Sequence, residues 1–127
     1  MPAAQHHDNF AMWDSRVTPF NAKAMGPRRD IVGELATAVR KRHMKFALSN
    51  HGIENFTFIN PQPALDAALQ AAAADLYDPR WRGFYNVADR SAPAMAGFLA
   101  DWVERNVELI DRYRTAGDTG FRRRDAR

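Results

Sequence analysis

Short apolar runs and longer helical patterns follow one another along the chain. Residues 2–5 are small and predict the end of a strand. From Asp30 to about Arg42 the apolar residues recur at helical spacing, which predicts a helix that begins at Asp30. The run Met44–Ser49 is mostly apolar and predicts a buried strand. Only His43 separates these two elements, so we expect a left-handed backbone there.

Two further helices are predicted in the second half of the chain. Pro63 is well placed as the first residue of an alanine-rich helix that reaches about Leu76. Ser91 can cap the last helix, with Pro93 in its first turn. The apolar positions of that helix are Phe98, Leu99, Trp102, Val103, Val107, Leu109 and Ile110. Residues 50–62 and 77–90 are predicted loops, and the periodicity stops at Thr115.

The order of strand, helix, strand and two helices favours parallel βαβ units in an α/β fold. Two strands alone do not make a viable parallel sheet, since such sheets bury both faces. We therefore expect a strand-helix-strand-helix-helix fragment of a larger (β/α)8-like, TIM-type barrel. The predicted division is a partial barrel at residues 1–114 and a basic tail, expected to be disordered, at residues 115–127.

Composition bounds the size and the chemistry of this fold. With 127 residues, 46% of them hydrophobic, the chain can bury one ordinary core and is too short to suggest two domains. The formal net charge is +3, and residues 115–127 carry +2 of it. No basic stripe follows a predicted helix face, so nucleic acid is not an expected partner. The absence of cysteine excludes disulfides, thiolate metal sites and cysteine nucleophiles.

Membrane and metal chemistry find no support in the sequence. No apolar run approaches the roughly 20 residues that span a bilayer. The first residues have neither a charged nor an apolar segment typical of a signal peptide. There is no His-x-His or His-Glu-x-x-His spacing, no phosphate-binding glycine loop and no nucleophile elbow. We expect no metal and no cofactor.

The stretch from His6 to Asp30 is the strongest candidate for a binding site. It places paired histidines and a tryptophan on a long loop after a strand, and such loops are often functional. Neutral imidazoles both donate and accept hydrogen bonds, as sugar hydroxyls require. Asp8 is expected to cap the loop rather than to act in catalysis. The other candidate carboxylates are Asp14, Glu34 and Glu54, and none of them is assigned as a nucleophile.

Several ordered motifs resemble the α-L-fucosidases of glycoside hydrolase family 29. They are His6-His7-Asp8-Asn9-Phe10, Trp13-Asp14-Ser15, Phe20-Asn21, Gly26-Pro27-Arg28-Arg29-Asp30, Asn50-His51, Phe56-Thr57-Phe58 and Tyr77-Asp78-Pro79-Arg80-Trp81. The resemblance covers about residues 3–114. Asn9 and His43 stand where glycine is typical of the family. Ser49 stands near a position where many members place a sugar-contacting tyrosine.

The resemblance implies a retaining exo-hydrolase that releases terminal α-L-fucose from fucosylated glycans or glycosides without a cofactor. It implies substrate-binding roles for His6, His7, Trp13 and His51, and a periplasmic, secreted or lysosomal location. The family's nucleophile follows a Pro-Asp-led apolar strand after the last helix, whereas here Arg114 leads into polar residues. We therefore assign no catalytic residue in this chain, expect it to be inactive alone, and interpret residues 115–127 as frame-shifted.

Other interpretations remain open at this point. Trp13 can stack on a sugar ring or pack in the barrel wall. His51 can contact substrate or orient a neighbour that does. The alternative functions are a small basic, non-enzymatic protein that binds sugar or nucleic acid, and a non-functional truncated product with aggregating strand edges. The oligomeric state is not predicted.

Overall fold

The fold of the chain is given by a computed structural model, which describes residues 1–58, 63–87 and 89–114. Its helices and strands confirm an α/β chain. They are β1 (Ala3–Gln5), α1 (Ile31–Arg40), β2 (Ser49–Asn50), α2 (Asn55–Phe58), α3 (Pro63–Ala71), α4 (Arg82–Tyr85) and α5 (Ala92–Tyr113). Three short 3-10 turns lie between them, at Gly52–Glu54, Asp75–Tyr77 and Pro79–Trp81.

The two strands pair in parallel, with Ala3 opposite Ser49 and Gln5 opposite Asn50. The predicted strand over residues 44–49 is wrong for most of its length, because the ladder begins only at Ser49. β1 is only three residues long and offers few partners for a longer ladder. Residues 46 and 48 still pack partly against the core, while the side chain of Met44 is 57% exposed.

Helix α1 begins where the sequence predicted. Asp30 is its N-cap and accepts a hydrogen bond from the amide of Gly33 at 2.9 Å. The helix ends at Arg40, slightly before the predicted end. His43 has a φ of 56°, which confirms the left-handed backbone predicted between helix and strand.

The end of α5 is joined to the start of α1 by one buried tyrosine. The hydroxyl of Tyr113 donates to the Asp30 carboxylate, at 2.9 Å from each oxygen. Burial and the adjacent Asp30 carboxylate raise the pKa of Tyr113 above its ordinary value. The same carboxylate therefore caps one helix and anchors the other.

The predicted loops contain short helices, and the alanine-rich helix is shorter than predicted. α2 and the first 3-10 turn lie within residues 50–62, and α4 lies within residues 77–90. α3 ends at Ala71, and Ala73 has a φ of 50°. Ala71, Ala72 and Ala73 are all exposed, so no packing supports another helical turn there.

Helix α5 confirms the predicted cap, while most of its apolar positions are not buried. Ser91 accepts a hydrogen bond from the amide of Ala94 at 3.3 Å. Of the seven apolar positions named from the sequence, only Phe98 and Leu109 are buried. The side of α5 that meets the rest of the chain also carries Arg105 and Glu108. Each of them makes a hydrogen bond to the long loop.

The core is a small cluster at the junction of β1, the long loop, α1 and α5. Its buried members are Ala4, Ala11, Trp13, Val32, Ala36, Leu109 and Tyr113. Within the described ranges, no helix has the length and apolar character needed to cross a membrane. The predicted basic tail at residues 115–127 lies outside the described residues.

Candidate functional site

The paired histidines lie in a tight turn that follows directly from β1. The amide of Asn9 donates to the carbonyl oxygen of His6 at 3.1 Å and closes a turn over His7 and Asp8. The carboxylate of Asp8 accepts from the amide of Phe10 at 3.0 Å, which confirms its predicted role as a loop cap. The strand has ended at Gln5, so the two histidines are free of its alternating pattern.

The three predicted site histidines come together at the ends of the two parallel strands. The ring centroids of His6 and His7 are 4.1 Å apart, and those of His6 and His51 are 5.3 Å apart. His6 follows the last residue of β1, and His51 follows the last residue of β2. The carboxyl ends of neighbouring parallel strands therefore carry this group of His6, His7 and His51, which we call the histidine cluster.

An exposed aromatic side chain extends the histidine cluster. Phe58 stacks on His7 with a centroid separation of 3.7 Å and is 56% exposed. Phe58 is not among the binding residues expected from the sequence, because nothing local shows that α2 brings it to His7. The cluster thus offers imidazole nitrogens for hydrogen bonds beside an apolar ring face. That combination fits a small ligand with both hydroxyls and C–H groups.

Glu54 places a carboxylate beside His51 of the cluster. Its Oε1 atom lies 3.7 Å from Nδ1 of His51, and both side chains are about half exposed. This distance is too long for a direct hydrogen bond. Among the described residues, no three His, Cys, Asp or Glu side chains are grouped so that they could hold a metal ion.

Trp13 does not join the histidine cluster. Its side chain is fully buried in the core, and its indole nitrogen donates to Oε2 of Glu108 at 2.9 Å. A ring without an exposed face cannot stack on a sugar. This corrects the expectation that Trp13 contacts a ligand, because the indole fills the space between the long loop and α5.

Glu108 holds the long loop against α5, a role that the sequence analysis does not predict. Besides Trp13 it accepts from the hydroxyl of Ser15 and from the amide of Arg16, both at 2.7 Å. Burial alone would raise the pKa of Glu108. The bonds from Arg16, Ser15 and Trp13, with the charge of Arg112, outweigh burial and lower that pKa. The local sequence signal for this role is that Glu108 stands among apolar positions of the helix.

Two asparagines support the turn of residues 6–9, which we call the histidine turn. Nδ2 of Asn55 donates to the carbonyl oxygen of His7 at 2.9 Å, and Nδ2 of Asn86 donates to Oδ1 of Asn55 at 2.7 Å. Asn55 is only 3% exposed, so the amide of the Asn55-Phe56-Thr57 triplet is enclosed. That triplet fits the glycosylation pattern, but in the folded chain its asparagine serves the histidine turn.

Comparison with known proteins decides the family. The model of the family described as Alpha-L-fucosidase matches residues 1–119. This chain belongs to the α-L-fucosidase family. The match includes the histidine turn, the long loop and α5, and it continues past Arg114, where the resemblance of the motifs ended.

Curated relatives and a solved structure agree with this family. The chain is similar to tissue α-L-fucosidase of Rattus norvegicus, with 46% identity over 54 residues, which are 42% of this chain and 12% of that protein. The Homo sapiens tissue enzyme is 45% identical over 53 residues, 41% of this chain and 11% of that protein. The chain thus spans a small part of the length of the relatives it matches.

A structural relative is an α-fucosidase of Thermotoga maritima, solved in complex with fucose. It matches with a TM-score of 0.53 and 28% sequence identity, over 88% of this chain and 22% of that chain. Most of the described elements therefore have counterparts in a fucosidase, while this chain corresponds to about a fifth of it.

Proposed function

We propose that the histidine cluster contacts fucose in the active site of an α-L-fucosidase. The observation that carries the proposal is the convergence of His6, His7 and His51 at the ends of β1 and β2, with centroids 4.1 and 5.3 Å apart. Enzymes with parallel barrels build their sites at the carboxyl ends of the strands. The Thermotoga maritima relative, solved with fucose, supports this choice of ligand.

The architecture we propose for residues 1–114 is one part of a (β/α)8 barrel. β1, α1 and β2 form one βαβ unit with parallel strands, which is the repeating unit of such barrels. The short strands and the mostly exposed apolar side of α5 are consistent with surfaces that further strands would cover.

The proposed activity of the whole protein is the retaining hydrolysis of terminal α-L-fucose in fucosylated glycans or glycosides. Such a reaction needs two carboxyl groups about 5–5.5 Å apart and water, and no cofactor. We assign neither carboxyl group within this chain. The 127-residue chain is therefore expected to bind fucose weakly and to release no nitrophenol from an aryl fucoside. Measurable release would contradict this part of the proposal.

Fucose binding by the purified 127-residue chain tests the site directly. L-fucose is titrated while the histidine ring signals are followed by NMR. His6→Asn and His7→Asn are each expected to weaken binding about tenfold, because each removes hydrogen bonds to sugar hydroxyls. His51→Asn is expected to act in the same direction.

His43→Asn is the matched control for these variants. His43 is an exposed histidine at the end of α1, and asparagine tolerates its φ of 56°. The same replacement there is expected to leave fucose affinity unchanged. The proposal fails if the folded wild-type chain shows no saturable binding of L-fucose. It also fails if the three cluster variants bind as the wild type does.

A further inference from the structure

We propose that Asn9 is a positioning residue that fixes the histidine turn through a buried link to Arg105. The proposal concerns the placement of the rings of His6 and His7, and only its consequence for affinity rests on the proposed function. Asn9 does not face the ligand side, because its side chain is 1% exposed. It therefore acts through the turn that it closes.

The side-chain amide of Asn9 is fully used. Its Oδ1 accepts from Nε2 of Gln5 at 2.8 Å and from Nη1 of Arg105 at 2.7 Å. Its Nδ2 donates to the carbonyl oxygens of Gly83 at 2.9 Å and Phe84 at 3.0 Å. An asparagine amide has two acceptor and two donor sites, so no further bond is available. One side chain thus joins β1, α4 and α5.

The link to α5 ends in a buried charge. Arg105 is 5% exposed, and its other terminal nitrogen pairs with the carboxylate of Asp101 one helical turn earlier. Burying a guanidinium is costly where its N–H groups lack acceptors, and among the described residues Nε of Arg105 has none. The bond of its Nη1 to the oxygen of Asn9 is therefore one of the few that offset this cost. Burial also lowers the pKa of Arg105 below its usual range, although Asp101 acts in the opposite direction.

The backbone of Asn9 makes this link a constraint on the histidines. Asn9 has a φ of 68°, and its amide closes the turn on the carbonyl oxygen of His6. The side chain, held by three elements, therefore fixes the residue whose backbone sets the turn. Moving His6 or His7 requires breaking bonds of the buried Asn9 amide, which is unfavourable in a low-dielectric interior.

Asn9→Gly tests the inference, because glycine accepts the same positive φ while it removes all four side-chain bonds. NMR of the 127-residue chain without sugar follows the proton contact between the rings of His6 and His7 and the shift that Phe58 induces on His7. We expect both signals to be lost or strongly reduced, with the ring signals of His43 unchanged. Fucose affinity should fall about tenfold in the same variant.

Two further variants separate positioning from a general loss of stability. Asn9→Asp keeps the acceptors for Gln5 and Arg105 but cannot donate to the carbonyls of α4, so the ring signals should shift while the chain stays folded. Glu108→Gln weakens the contact between α5 and residues 13–16 of the long loop. It should leave the ring signals of His6 and His7 as in the wild type. Equal ring changes in Glu108→Gln would show that Asn9 is merely structural.

The outcomes distinguish this inference from the proposed function. Unchanged ring contacts in both Asn9 variants overturn the positioning role, whether or not L-fucose binds. Changed ring contacts in a chain whose wild type binds no L-fucose support the positioning role and refute the fucose site. Changed contacts together with weaker fucose binding support both.

Discussion

Trp13 and Glu108 lie 95 residues apart in the sequence and are joined by a hydrogen bond of 2.9 Å. The bond connects the long loop after β1 to the C-terminal half of α5. The same carboxylate also receives bonds from Ser15 and Arg16, so one side chain of α5 holds residues 13–16 of the loop. The buried tryptophan is thereby a support for the fold and not a surface for the ligand.

Glu108→Gln is expected to lower the free energy of unfolding by about 1–3 kcal/mol, since bonds to a charged acceptor become bonds to a neutral amide that also carries a donor. Urea unfolding at neutral pH measures the loss. Glu104→Gln changes an exposed glutamate of the same helix and should stay within about 0.5 kcal/mol of the wild type. A Glu104 variant as unstable as the Glu108 variant would contradict the assignment.

The stability difference between the wild type and Glu108→Gln is expected to depend on pH. The pKa of Glu108 is lower in the folded chain than in the unfolded one, so its stabilisation is complete above the unfolded value of about 4.3. It is lost as the pH falls through the lower, folded value. The stability difference between wild type and Glu108→Gln should therefore shrink in acid, and a difference that grows there would contradict the shift.

Gly52 and Gly97 should respond to alanine in opposite directions. A Cβ at Gly52 would lie 2.8 Å from Cδ of the buried Gln5, so Gly52→Ala should destabilise the chain by about 1–3 kcal/mol. A Cβ at Gly97, within α5, would meet nothing within 4 Å. Gly97→Ala should therefore stabilise the chain by about 0.5–1 kcal/mol. Thermal unfolding of both variants checks the contrast, and equal signs would refute it.

The apolar stripe of α5 should make the chain self-associate. It consists of Met95, Leu99, Val103, Val107 and Ile110, which are 37–52% exposed. These residues lie three or four positions apart and so share one face of the helix. Contiguous exposed apolar surface favours association in water. We expect the average mass in sedimentation experiments to rise with concentration, and Leu99→Lys with Val103→Lys to suppress the rise.

Ala38→Lys is the control for these charges, because it adds a lysine to an exposed position of α1 away from the stripe. It should not change the association of the chain. A wild type that stays monomeric at every concentration would show that the stripe does not drive contact. Suppression by Ala38→Lys as well would show that net charge alone is responsible.

Part of the candidate site could be predicted from the sequence. The family resemblance implies binding roles for His6, His7, Trp13 and His51, and the three histidines come together because the two strands that carry them end side by side. The sequence does not predict the stack of Phe58 on His7, since the turn into α2 that brings it there depends on buried contacts of Asn55. It does not decide the placement of Trp13 either, because an aromatic residue in a loop fits either packing or binding.

The sequence by itself determined the features that rest on short-range hydrogen bonds and backbone preference: the caps at Asp30 and Ser91, the left-handed His43 and the loop cap at Asp8. Tertiary structure decided how far each strand pairs and which side of α5 is buried. It also decided how Asn9, Arg105 and Glu108 act. Their partners lie up to 96 residues away, and such pairings are selected by the packing of the whole chain.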